Sequence, residues 1–122
     1  MSYKRERRQY KGKIGYCDNK YLPLAQSVSG GHYVYIRDVR NGLADVHVIT
    51  SLEDVRSSKP VFNNQKIGKI KRGQVYPIPK RDANFTRWSG IDRTLLRGVD
   101  VRHITGVGEK WIRKKHRFGV VK

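Results

Sequence analysis

Two stretches of the chain concentrate side chains that can do chemistry. The first, KRDANFTRWSGIDRTLLRG from Lys80, interleaves Arg81, Arg87, Arg93 and Arg97 with Phe85 and Trp88. Arginine presents a planar fork of donors that fits phosphate and also stacks on bases, while flat aromatic faces receive unpaired nucleotides. NFTRW therefore reads as a platform for a single strand or an RNA loop, with Arg87, Trp88 and Phe85 as candidates. The alternative is that Phe85 and Trp88, three apart, share one side of a helical turn and plug the core. The second stretch, ITGVGEKWIRKKHRF from Ile104, carries Lys110, Arg113, Lys114, Lys115 and Arg117 behind Gly106 and Gly108. On a helix, Lys110, Arg113 and Lys114 share one face. Glycine-permitted amides ahead of a helix N-terminus make a nest for an anion.

No motif spells a reaction. His32, His47, His103 and His116 are available for acid–base work, but that work needs two groups within hydrogen-bond reach of one phosphate, which spacing alone does not supply. There is no GxSxG, HExxH, P-loop or acidic metal cluster, and Asp38 and Asp45 read as the two sides of a hairpin end. No catalytic residue, metal or cofactor is expected.

The elements that must position these groups start from 122 residues, one domain's worth, with 27 Lys+Arg against 10 Asp+Glu and a net charge of +17. The surplus is regional: +5 over residues 1–20, zero over 21–60 and +12 over 61–122. Regional charge suits a binding surface for a polyanion better than general solubility does. No stretch approaches a membrane-spanning length, the N-terminus lacks an apolar signal core, and Cys17 is the only cysteine, so a reducing cytoplasm is the expected location. Residues 1–11 read as a flexible basic arm, ordering on phosphate or simply frayed, and 12–122 as a single domain.

Within it, GKIGYC (12–17) reads as a first strand. HYVYIRDVRNGLADVHVIT (32–50) reads as a hairpin on an Asn41-Gly42 type I′ turn. An unbroken register sets Arg40 opposite Leu43, Ile36 opposite His47 and Tyr35 opposite Val48, with both faces apolar enough to be covered. Ser51 is placed to cap a short helix over 51–56. KIGKIKRGQVYPIP (66–79) suggests two strands broken at Gly73, with Pro77 and Pro79 forcing an edge or an exit. Asp92 is placed to cap a helix closed by Gly98. The expected architecture is α+β: a small single domain with a central antiparallel β-sheet and short helices.

VDVRHITGVGEKWIRKKH resembles a helix-hairpin-helix motif, with Ile104, Gly106, Val107, Gly108 and Lys110 on its central pattern. The resemblance covers about a sixth of the chain and departs from the motif at Ile112 and Lys115. It implies helices from Asp100 and from about Glu109, with the glycine hairpin offering amides to a phosphate; the alternation of Val99, Val101 and His103 with charged residues fits a strand as well, and the glycines a simple turn before a basic helix. The strings HYVYIRDV, VITSLED, YPIP and NFTRWSGI together resemble small basic accessory proteins of Gram-positive plasmids and mobile elements. That likeness implies binding of the element's own DNA or RNA, or inhibition of a nucleoprotein defence nuclease in the manner of anti-CRISPR proteins.

The reading is of a protein that binds nucleic acid, free or in a nucleoprotein complex, mainly through phosphate, without membrane or small-molecule partner. A nuclease inhibitor and a metal-independent endoribonuclease toxin are the alternatives.

Overall fold

A computed structural model describes residues 8–23, 30–51, 75–85 and 89–113. Seven strands account for most of them: β1 (Ile14–Asp18), β2 (Gly31–Arg40), β3 (Leu43–Ser51), β4 (Val75–Ile78), β5 (Ser89–Asp92), β6 (Leu96–Asp100) and β7 (Ile104–Lys110). The helical content is a turn at 8–10 and three 3-10 turns, Asn19–Tyr21, Lys80–Asp82 and Val101–His103. The α+β expectation is thus overturned, for the described chain is an antiparallel β structure almost without helix. The cause lies in the aspartates taken as helix caps. Asp92 Oδ1 accepts from Thr94 N at 2.9 Å and Asp100 Oδ1 from Arg102 N at 2.9 Å, so each closes a turn onto the residue two further on. Around them Val, Ile and Thr favour extended backbone. The segment from Asp92 to Gly98 is therefore a turn leading into β6, and the residues after Asp100 make one 3-10 turn before β7.

The strands lie in the order β4-β5-β3-β2-β1-β7, every pairing antiparallel. Leu43, Ala44 and Val46 of β3 pair with β6, whereas Ile49–Ser51 pair with β5. From β6 the chain runs through the 3-10 turn into β7, which returns to β1. The β1-β2-β3-β6/β7 circuit so formed encloses a first core of Cys17, Val34, Ile36, Val39, Ala44, Val46, Val99 and Ile104. Gly15 faces this core: a Cβ there would collide with the Ile104 side chain and press on Val107, so β1 and β7 meet closely only because the residue is glycine. Tyr10, near the end of the expected basic arm, packs on the same core, and Gly12 N just beyond it donates to Ile36 O at 2.8 Å. Residues 1–7 lie outside the described chain, as do residues 52–56 of the expected helix after Ser51 and residues 66–74 of the segment expected to carry two strands.

A second core lies on the opposite face of the hairpin: Ile14, Tyr35, Ile49, Ile78, Ala83, Ile91 and Ile112. Strands β4 and β5 extend the sheet, and the chain after β4 crosses back to bridge Ala83 with Ile112 just beyond β7. The hairpin is buried on both sides because it serves both cores.

Its turn has the expected left-handed pair, Asn41 at φ 54° and Gly42 at φ 77°, and the register begins as expected with Arg40 opposite Leu43. It then slips. Asp38 faces Asp45 but Ile36 faces Val46, leaving Arg37 as the extra residue of a bulge. Beyond it, Tyr35 faces His47 and Val34 faces Val48, one residue away from the unbroken register. The bulge puts Ile36 and Val46 together in the first core and turns Tyr35 and His47 to the other face.

Candidate nucleic-acid interface

The two chemistry-bearing stretches are stitched side by side. Asn84 holds the seam: its Oδ1 accepts from Trp111 N at 2.7 Å and its Nδ2 donates to Glu109 O at 3.0 Å. Its own N–H reaches Trp111 O at 3.3 Å. Two residues along, Arg113 N donates to Asp82 O at 2.8 Å and Arg113 Nε lies 3.0 Å from Asp82 Oδ1. Extended backbone on the β7 side makes this possible, because successive residues past β7 alternate between facing the second core and facing away from it. Ile112 is buried, whereas Trp111 and Arg113 on either side of it are exposed.

Lys110 also turns toward the second core. Its Nζ sits 5.7 Å from the Tyr33 ring centre and 5.8 Å from that of Phe85, and donates to Asn84 O at 3.3 Å. Under it the rings form an edge-to-face ladder, Phe85 on Tyr33 at 5.3 Å and Tyr33 on Tyr16 at 5.3 Å. Tyr16 remains 40% exposed at the end of that ladder. Phe85 is half-buried against the second core and in no helical turn, while Trp88, expected beside it, lies outside the described residues.

Of the residues singled out in sequence, Lys110, Arg113 and Arg81 meet at this seam, Arg81 exposed on the 3-10 turn that precedes Asn84. Lys114, Lys115, Arg117, Arg87 and Trp88 lie outside the described residues. The shared helical face expected for Lys110, Arg113 and Lys114 is not formed, since Lys110 ends a strand and Arg113 follows in extended chain. Gly106 and Gly108 are also inside β7. Between the pairs Tyr16–Thr105 and Ile14–Lys110, β1 advances two residues while β7 advances five, and the surplus forms a bulge with φ of 60° at Gly106 and 91° at Gly108. Where the resemblance to a helix-hairpin-helix implied two helices, residues 100–110 hold a 3-10 turn and a bulged strand. The Glu109 carboxylate lies against Gly106, 2.9 Å from where a Cβ would be, so an acid already occupies that side of the glycine.

Trp111, Asn84 and Tyr16 were not read from the sequence. Trp111 had a visible signal, a tryptophan among cations, obscured by assigning its segment to a helix. The role of Asn84 depends on a pairing across the fold and leaves no local trace.

The described histidines are held in structural contacts. His47 is buried, with Nδ1 donating to Asp92 O at 2.8 Å. His32 Nδ1 is 2.6 Å from Asn19 Oδ1, and His103 stacks on Tyr21 with centroids 3.7 Å apart. Burial pushes the pKa of both His47 and His32 down. Cys17 is buried, and that burial, followed by the neighbouring Asp18, pushes its thiol up. Arg102 is forked onto Asp100, with Nη2 to Oδ2 at 2.8 Å, and its hydrogen bonds hold that carboxyl at about 2. Asp38 and Asp45 face each other at the hairpin end, where Lys11, Arg37 and Arg97 join them around a cleft of about 410 Å³. Among the described residues no group of three His, Cys, Asp or Glu side chains is arranged to hold a metal, and no helix is long and apolar enough to cross a membrane. In comparisons with known proteins, no family model and no curated protein sequence matches the chain.

Proposed function

We propose that the protein binds nucleic acid mainly through its phosphate backbone, at the seam where residues 81–85 meet residues 109–113. One observation carries the reading: the fold joins two Arg- and aromatic-bearing segments from the half of the chain that holds the +12 surplus. Arg81 and Arg113 are exposed at this junction, and the run Lys114, Lys115 and Arg117 continues from it in sequence. Phosphate contacts of this kind position a polyanion without reading its bases.

The test is affinity for DNA and RNA oligonucleotides as a function of salt. Each neutralised phosphate contributes a slope of about −0.9 for duplex DNA and about −0.7 for single strands in log K against log salt. Arg81→Glu combined with Arg113→Gln should weaken binding to every sequence alike and flatten the slope by roughly two contacts. A salt-independent affinity, or a variant that binds as tightly as the wild type, would overturn the proposal. Capture of a nucleoprotein nuclease that persists after nuclease treatment of the lysate, with no affinity for free oligonucleotides, would replace it with the inhibitor reading.

A further inference from the structure

We propose that Trp111 is a stacking platform for an unpaired nucleobase, which makes single-stranded nucleic acid the ligand of this site. This rests on the nucleic-acid reading above and narrows it.

Trp111 is 49% exposed, in a molecule where Tyr16, Tyr21 and Leu43 are the other large hydrophobics that show comparable surface among the described residues. An indole left half in water forgoes a large burial gain, so its position calls for a partner. The exposure follows from how the backbone is held. Ile112 is drawn into the second core and bridged to Ala83, and Lys110 is drawn over Tyr33 and Phe85, so the residue between them is turned outward. Both backbone groups of Trp111 are tied to Asn84, its N–H to the side chain and its C=O to the backbone. Arg113, anchored on Asp82, fixes the next outward position. An aromatic face on a backbone fixed at residues 110, 112 and 113 loses little freedom when a flat partner docks on it.

The surroundings choose the partner. Exposed Arg81, together with Lys110 and with Arg113, which keeps 61% of its side chain exposed while pairing with Asp82 at 3.0 Å, outnumber the carboxylates of Asp82 and Glu109 and leave the seam that anchors Trp111 net positive. A flat aromatic partner carrying its own negative charge at short range is a nucleotide. Bases in a duplex are stacked on one another and present only edges in the grooves, so a face-on platform selects unpaired ones.

The experiment compares wild type, Trp111→Ala and Trp111→Phe by fluorescence anisotropy at one fixed low salt. The labelled probes are a 12-nucleotide single-stranded RNA, the same sequence as single-stranded DNA, its duplex, and a strand of equal length built from abasic units. The alanine variant should bind both natural single strands about 5- to 150-fold more weakly. It should bind the duplex and the abasic strand as the wild type does, and the phenylalanine variant should recover much of the loss. Thermal melting of each variant confirms an intact fold, as expected for an exposed side chain. The ratio between the RNA and DNA arms identifies which strand the site prefers. An alanine variant with unchanged single-strand affinity, or one that loses duplex and single strand equally, overturns the stacking proposal while leaving phosphate binding in place. A wild type that binds none of the probes removes both.

Discussion

Asn84 ties a segment that follows β4 to the end of β7 with both ends of its carboxamide. Replacing it with alanine removes the acceptor for Trp111 N and the donor to Glu109 O, and should cost about 1–2 kcal/mol, read as a lower denaturant midpoint with unchanged slope. His47 offers a second test. Its Nδ1 donates to Asp92 O, while Nε2 is buried with no hydrogen-bond partner among the described residues, so the folded protein favours the neutral ring. Burial is the main cause of the lowered pKa, and the positive charge of Arg37 acts in the same direction. The unfolded chain takes up a proton near pH 6.5 while the folded ring resists it, so stability is complete above that pH and falls as the pH drops toward the lowered folded value. His32 is lowered too and adds in the same sense. Urea titrations between pH 5 and 8 should show that decline, and His47→Phe should leave only the part due to His32. At this scale the sequence revealed cations and rings readily, because their chemistry belongs to the residue type. It hid Asn84 and the orientation of Trp111, which exist only through pairing with distant chain.

Among elements, the hairpin was the most legible, since Asn41-Gly42 dictates its own backbone. Gly42→Ala places a Cβ at φ 77° and should cost about 1 kcal/mol without altering the fold, measurable by chemical denaturation. The Arg37 bulge was not legible: a single extra residue changes every partner beyond it, yet no residue type announces it. The aspartates misled for a physical reason. Asp92 and Asp100 each bond the amide two residues on at 2.9 Å. That contact starts a turn or a helix equally well, and the outcome depends on whether neighbouring strands capture the chain. For ITGVGEK the captor is β1, whose Gly15 admits Ile104 and Val107. The glycines then serve a strand bulge and not a hairpin between helices.

For the whole molecule, the excess charge and the shared hairpin act in opposite ways. A net charge of +17 repels itself, so raising salt should increase the melting temperature while it weakens oligonucleotide binding. Opposite responses to one variable separate fold from function in a single titration. Because β2 and β3 serve both cores, damage to one should be felt in the other: Ile36→Val in the first core and Ile91→Val in the second should each cost about 0.5–1.5 kcal/mol and shift all probes together. The closure of the first core has a kinetic side. Hairpin β2–β3 joins neighbours across a two-residue turn, whereas Cys17 must find Ile104 and Asn84 must find Trp111 across long stretches of chain. Local contacts form early and distant ones late, so the hairpin is the natural nucleus and the seam is among the last parts to assemble. A ligand that grips the seam then acts after the folding barrier: it should slow unfolding, leave the refolding rate almost unchanged, and lengthen the lifetime of the bound protein.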